Sequence, residues 1–301
     1  MKYEYLSQQP KIFQKCTGIT VREFDELVNA VLPVYSEAET QRLQRAGRKR
    51  ASGGGHPFEL DGRDQVLLTI VWLRLYPIHE VLGYLFAVSD STVSRLLERV
   101  LPILAQAGRD TMRLPDPGKK GRRHLSDLLD DIPELTLVVD SFEQRVQRPP
   151  HDNSHFSGKK KQNTLKSQVT VDGQTGRIVE TSASVVGPTA DVNLLQQSQL
   201  VKRLPQGCGL VGDLGYLGMD KLYPLAFIPR RKPRGKPHPP QHRPYNMAFA
   251  AFRVIVEHTI GRLRRFQSLN HMDRHHRRHH ADRVAAVAGL VNRQPIFRPA
   301  C

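Results

Sequence analysis

Three acidic residues stand where carboxylates can do chemistry. Asp140 closes the apolar run Leu135-Thr136-Leu137-Val138-Val139, and Asp213 closes the run Leu210-Val211-Gly212. Glu257 interrupts the apolar face Phe252, Val256 and Ile260 of a stretch with helical spacing, residues 249–266. An acid after one buried strand, a second after another and a third on a following helix can converge on one spot. Burying an unpaired carboxylate is costly, so such positions call for a cation. Clustered carboxylates raise their own pKa values until a cation neutralises them. Hard oxygen ligands select Mg²⁺ or Mn²⁺. Two such ions about 4 Å apart support in-line displacement at a phosphodiester. For any one acid alone, a helix cap, a turn or a salt bridge is the simpler account. The three acids in this order and context make the two-ion reading the one carried forward. Asp213 is followed by Leu214-Gly215-Tyr216-Leu217-Gly218, whose glycines let backbone pass close to a ligand.

The elements that must hold these acids are strands and helices in mixture. Residues 135–142 read as a buried strand and 167–171 as an alternating one. Asp172-Gly173 marks a hairpin turn, and 178–186 reads as the third strand. A helix is expected over 191–204, then strands at 209–213 and 225–228, a Pro-rich basic loop over 230–244, and helices over 245–266 and 281–291. Three strands in a meander followed by alternating helix and strand predict an α/β fold, a mixed five-stranded sheet flanked by helices.

Ahead of it the spacing is helical. Thr20 and Glu23 form a capping box for a helix over 17–33, which Pro33 is expected to end. Residues 42–55 are basic and then glycine-rich, a connector. Three helices are expected over 58–104, opened by Asp61, Pro77 and Ser89 or Asp90. A helix, a tight turn at Val88-Ser89-Asp90 and a second helix have the shape of a helix-turn-helix reader. The first turns of the third helix would present Ser91, Thr92, Ser94 and Arg95 to phosphates and base edges. A helical subdomain that never touches DNA has the same pattern.

Lys and Arg number 45 against 29 Asp and Glu, a formal net charge of +16. That balance favours a polyanion, because each neutralised phosphate releases counterions. A solubilising surface charge, a ribosomal protein or a membrane-surface protein would share it. Lys159, Lys160, Lys161, Arg262, Arg264 and Arg265 lie in the segments that carry the acids and would hold a DNA backbone. Cys16, Cys208 and Cys301 lack C-x-x-C spacing, which disfavours a disulfide framework or zinc ribbon and fits a reducing cytoplasm. No secretory signal is read at the start, and no apolar stretch reaches the ~18 residues of a membrane span.

Weaker signals have plainer accounts. His275/His279 and His276/His280 have metal-ligand spacing, but the interleaved arginines favour phosphate contact or a solvated surface. His258 reads as a packing or phosphate-contact histidine. Tyr216 could stack a base or simply pack. Trp72 reads as helical core, and Gly53-Gly54-Gly55 lacks the Gly-Lys-Ser/Thr of a phosphate loop.

Leu137-Val138-Val139-Asp140-Ser141, Val211-Gly212-Asp213-Leu214-Gly215-Tyr216-Leu217-Gly218 and Val256-Glu257-His258-Thr259-Ile260-Gly261-Arg262-Leu263-Arg264 resemble the signature blocks of insertion-sequence transposases of the DDE superfamily. The branch is the one with a DDE endonuclease domain related to Harbinger-type elements. Residues 64–104, with Leu68-Thr69-Ile70-Val71-Trp72-Leu73-Arg74 and Ser91-Thr92-Val93-Ser94-Arg95, resemble the helix-turn-helix that precedes that domain. The resemblance implies a ribonuclease H-like fold, with Asp140 and Asp213 as shared ligands of two divalent ions and Glu257 completing one shell. It implies a hydrolase that cleaves DNA and transfers strands in recombination. Its partners would be double-stranded DNA, as terminal inverted repeats and target, and further copies of the chain. It also implies a cytoplasmic, nucleoid-associated protein. The branch often has a His-Asp pair after the third strand. Here Ala190 precedes Asp191, which is kept as a support or helix cap and not a ligand. The expected segments are an N-terminal helix and connector (1–57), a helix-turn-helix domain (58–108), a basic linker (109–133) and the endonuclease domain (134–295). The competing expectation is a decayed or repurposed transposase that binds DNA without catalysis.

Overall fold

Apolar residues at helical spacing build the first part of the chain and alternating ones the second. The computed structural model describes residues 1–44, 59–116, 127–148, 153–235, 237 and 239–297. The expected connector from residue 45 onward, with Gly53-Gly54-Gly55, lies outside the described residues, as do the basic cluster Lys119-Lys120-Gly121-Arg122-Arg123 and Cys301. The chain forms two compact units. One comprises Met1–Thr111, Arg265–Asn270 and Asp282–Cys301, the other Met112–Arg264 and His271–Ala281.

The first unit is helical. It begins with α1 (Tyr3–Leu6), α2 (Pro10–Thr17) and α3 (Val21–Leu43). The capping box is present: Thr20 Oγ1 accepts from the Glu23 N–H and the Glu23 carboxylate accepts from the Thr20 N–H. Pro33 does not end α3, which runs ten residues further. Proline removes a single helical hydrogen bond and kinks more often than it stops a helix whose buried stripe, Leu27, Val28, Val31 and Tyr35, continues past it. Then come α4 (Gly62–Leu75), α5 (His79–Phe86) and α6 (Asp90–Arg109). Asp61 caps α4 and Ser89 caps α6, each accepting from a backbone N–H of the first turn. Trp72 is buried among these helices.

The second unit is built on a sheet. β1 (Thr136–Arg145) is central. β2 (Phe156–Ser157) and β3 (Gln162–Asp172) follow, then β4 (Ile178–Thr181) and β5 (Val185–Val186). Next are α7 (Asp191–Ser198), β6 (Gly209–Val211), β7 (Ala226–Phe227) and α8 (His242–Arg264). β1 pairs antiparallel with β3 and parallel with β6, and β6 pairs parallel with β7. β2, β4 and β5 all line β3, so the seven strands, where five were expected, run β2/β4/β5–β3–β1–β6–β7, the mixed ribonuclease H-like arrangement. The expected third strand is split, because Ser182–Ser184 leave the ladder between β4 and β5. The helix expected over 191–204 stops at Ser198, where Gln199 turns left-handed. One face of the sheet buries Leu137, Val139 and Leu210 with Leu195 of α7 and Tyr216. α8 packs on β1 and β3 through Phe249, Phe252, Val256 and Leu263.

The chain then returns to the first unit through α9 (Gln267–Asn270) and most of α10 (His280–Asn292). Compactness therefore groups the chain differently from the expected segment 134–295. The local cause is a helix crossing: a Cβ on Gly289 would lie 2.3 Å from the Gly108 Cα, so only glycines let α10 lie against α6 this closely. Among the described residues, no helix is long and apolar enough to cross a membrane.

Candidate active site

Sheet pairing opens the site. β6 pairs with β1 only as far as Val211 opposite Val138, whereas β1 runs on to Arg145 against β3. Past Val138 β6 no longer pairs with β1, and Asp140 and Ser141 lie there, before Asp273 takes up the same edge by donating to the Arg145 carbonyl and bridging Val146. Asp140 is thus inside the strand rather than at its end, with Val169 of β3 opposite. On the other strand the chain leaves the ladder at Gly212, and Asp213 caps a short turn, its Oδ1 accepting from the Gly215 N–H at 2.8 Å. Two parallel strands that part at their carboxyl ends are a recurrent place for a ligand cleft.

Successive strand residues point to opposite faces. Asp140 is met from the α8 face by Arg253, whose Nη2 donates to Asp140 Oδ2 at 3.3 Å. Ser141 is met from the α7 side, its Oγ donating to Asp191 Oδ1 at 2.7 Å. Asp191 does not cap its helix; Ala190 holds that position. Its carboxylate takes the Ser141 hydroxyl and the Lys166 ammonium, at 3.0 Å, so it supports the strand beside Asp140. Lys166 also donates to the Thr189 carbonyl and lies 4.0 Å from Glu143, its register partner on β1. Gly215 lies against two of the acids: a Cβ there would meet Asp191 Oδ2 at 2.4 Å and Asp213 Oδ1 at 2.9 Å. Asp191 and Asp213 therefore approach the same backbone.

The electrostatics follow. The Asp140 carboxyl is pushed up to about 6, first by burial, with the negative charges of Asp213 and Asp191 adding to it. The Ser141 N–H and Arg253 pull the other way. Burial beside the same three aspartates pushes the Tyr216 phenol well above its ordinary value. Tyr216 is fully buried and packs; it presents no face to a base.

Glu257 is placed differently. Its side chain is 57% exposed, and it reaches the other acids through Arg253, whose Nη1 lies 3.9 Å from Glu257 Oε1. Arg253 thus bridges Glu257 and Asp140. Among the described residues, no three acidic, histidine or cysteine side chains are gathered as an ion would need them. The expected convergence of Asp140, Asp213 and Glu257 is therefore not a ready cage: Glu257 lies on the outer face of α8, with an arginine filling the charge between. The donors are nonetheless of the kind a hard cation takes. They are carboxylate oxygens, one of them with a raised pKa that a cation would relieve.

Beside these acids lies a cleft of about 280 Å³. Its floor includes Ser141, Glu143, Lys166 and Asp191, and its rim carries Lys159, Lys160 and Arg264. The two lysines sit on the β2–β3 turn, closed by the Lys161 N–H donating to the Ser157 carbonyl, with Lys161 at φ +55°. Arg264 lies 5.9 Å over the Phe142 ring. Lys161 and Arg262 do not line the cleft, and Arg265 belongs to the other unit. In the helical unit, Ser91 and Arg95 are exposed on the first turns of α6, and Thr92 and Ser94 are half-buried. The Ser89 hydroxyl lies 3.0 Å from that of Ser91 and 2.9 Å from that of Thr92. The histidine run is largely structural at its end: His280 is buried between Ser184 and Gln144. His275 stacks on His279, and His258 is exposed.

Sequence reasoning missed Arg253 and Lys166. The signal for Arg253 was its place one helical turn before Glu257, and for Lys166 a lysine within the long alternating strand around 167–171.

The family described as "DDE superfamily endonuclease" matches residues 139–292, and the "Helix-turn-helix of DDE superfamily endonuclease" matches residues 58–110. A curated relative from Microchaete diplosiphon, described as "Probable transposase for insertion sequence element IS702", is 28% identical over 295 residues, covering 97% of this chain and 98% of the relative. The strand order, the acids on β1 and after β6, and these matches agree: the chain belongs to the DDE superfamily endonucleases, as a transposase with the superfamily's helix-turn-helix ahead of its catalytic-type domain.

Proposed function

We propose that the chain binds transposon ends and cuts and rejoins DNA phosphodiesters at Asp140, Asp213 and Glu257. The observation that carries this reading is the aspartate pair: Asp140 and Asp213 lie where two parallel strands part, and the negative charge of Asp213 helps to raise the Asp140 pKa. These carboxylates, with Glu257, would hold divalent ions, Mg²⁺ or Mn²⁺. Such ions, when bound, supply neutralising charge and Lewis acidity at a phosphate. Lys159, Lys160 and Arg264 offer three positive charges around one cleft, suited to a DNA backbone running past Asp140. Lys161, Arg262 and Arg265 add to the basic surface of their own units. Ser91, Thr92, Ser94 and Arg95 on the first turns of α6 are suited to the major groove of double-stranded DNA, the terminal repeats. A DNA partner implies a cytoplasmic, nucleoid-associated protein. Pairing two ends and a target implies a multimer.

The test is cleavage of a duplex carrying the element's end, in Mg²⁺, with binding followed separately. Asp140→Ala and Asp213→Asn should each abolish cleavage and leave end binding intact. Near wild-type cleavage by either variant would reject the site. A second reading, a repurposed transposase that binds DNA without catalysis, is favoured by one observation: Arg253 already compensates two of the acids. Divalent-ion binding that disappears with Asp140 excludes it.

A further inference from the structure

We infer that Arg253 is the built-in competitor of the divalent ion: its guanidinium holds the ion's electrostatic place between Asp140 and Glu257, and ion loading requires it to leave. This rests on the reading of the acids given under the proposed function.

The geometry carries the inference. Arg253 meets both acids: it reaches Asp140 on β1 from α8, where it stands four residues before Glu257. Its side chain is 11% exposed, so the charge is held in the site rather than in solvent. The oxygen it takes, Asp140 Oδ2, is one that an ion would need. A carboxylate oxygen bonded to a guanidinium is a poor ligand, since both cations draw on the same electron density.

The hold is also a weak one. The contacts are long, 3.3 Å and 3.9 Å, and neither acid meets the fork of the guanidinium in two short parallel bonds. Arg253 Nε is buried without a hydrogen-bond partner. Arginine carries five donors in a rigid fork, and here they are poorly met. A group stabilised this loosely gives way to a dication that satisfies the carboxylates better. It keeps the acids close and compensated until then, because clustered carboxylates without any cation would repel one another. A plain structural staple between α8 and β1 would have the opposite signature, with removal loosening the site and weakening any ligand.

The test is Mn²⁺ affinity of the full chain without DNA, followed by electron paramagnetic resonance of the free ion. Arg253→Gln should bind Mn²⁺ about tenfold more tightly than the wild type, within the usual range of coupling between two ligands of one site. Arg253→Lys, which keeps one charge and the fold, should fall between them. Asp140→Asn in the Arg253→Gln background should return the affinity to a weak value. If both arginine variants bind Mn²⁺ no more tightly than the wild type, while Asp140→Asn still weakens binding, Arg253 is a staple and the inference fails with the acid site intact. Binding indifferent to Asp140→Asn in every background overturns the acid site, and the inference with it.

Discussion

Asp140 works against the fold that holds it. Burial and two neighbouring aspartates raise its pKa to about 6, and Arg253 offsets only part of this. A raised carboxyl pKa stabilises the fold below the unfolded value near 4, and that contribution is lost as pH rises through about 6. At pH 7.5 the ionised Asp140 therefore costs about 3 kcal/mol, from roughly two pH units at ~1.4 kcal/mol each. Asp140→Asn, which mimics the protonated acid, should be more stable than the wild type by about that amount at pH 7.5 and converge with it below the unfolded value, at about pH 3. Urea unfolding across that range measures both ends, and a constant difference at all pH values would contradict the electrostatic origin. Adding Mg²⁺ should raise the wild type and leave Asp140→Asn unmoved. The places of Asp140 and Asp213 were legible in the sequence because each directly follows an apolar run, whereas Glu257, read as interrupting an apolar helix face, stands on the exposed side of α8. Arg253 and Lys166 were not legible. Their chemistry is defined by a partner across the sheet or helix packing, and one chain segment read alone does not show what faces it.

Among the elements, the crossing of α6 and α10 is the most tightly specified. A Cβ on Gly108 would lie 2.2 Å from the Ala285 carbonyl oxygen, and one on Gly289 2.3 Å from the Gly108 Cα. Both obstacles are backbone, so no side-chain rearrangement makes room. The crossing is tied further by Arg109 to Asp282, at 2.7 Å, and by the Asn292 amide donating to Thr111 Oγ1. Gly289→Val should therefore destabilise the helical unit by on the order of 3 kcal/mol, the range of forced overpacking in a core. Gly261→Ala is the matched control, since a Cβ there meets nothing within 4 Å. Far-ultraviolet circular dichroism during thermal unfolding reads the difference, and equal transition temperatures would show that the helices separate freely. Local signals carried much of the element reading. The cap residues Thr20, Asp61 and Ser89 sit where hydroxyl or carboxylate pairing put them, and the central strands follow their apolar runs. The misreadings are of extent. Pro33 was read as a stop because local propensity cannot weigh a buried stripe on both sides of it. The 178–186 strand was read as continuous because Ser182, Ser184 and their hydrogen bonds to Gln168 and Ser167 break the ladder without breaking the alternation. The return of α10 to the helical unit depends on two glycines far apart in the sequence, and no window contains both.

At the scale of the whole molecule, a formal net charge of +16 sets how it meets a polyanion. The basic side chains fall in both compact units, on α6 in one and around the cleft in the other. Were both to meet one DNA as proposed, their joining in one chain would let the two contacts reinforce each other through effective concentration. Binding should therefore be steep in salt, each neutralised phosphate contributing about 0.9 to the slope of log K against log salt concentration. On the proposed reading, removing Lys159 and Lys160 together should weaken binding to all duplexes alike and lower that slope by about 1.8, because cations that meet phosphate carry no base information. Arg95→Ala should act differently. Its exposed guanidinium on the third helix of the reader is suited to base edges, so its loss should reduce discrimination between the element's end and an unrelated duplex. Fluorescence anisotropy of both duplexes over 50–300 mM salt, roughly the range where such slopes are linear, separates the two effects. A slope unchanged by the double lysine variant would mean that the cleft beside Asp140 does not face DNA, and the backbone would have to pass elsewhere on the sheet unit.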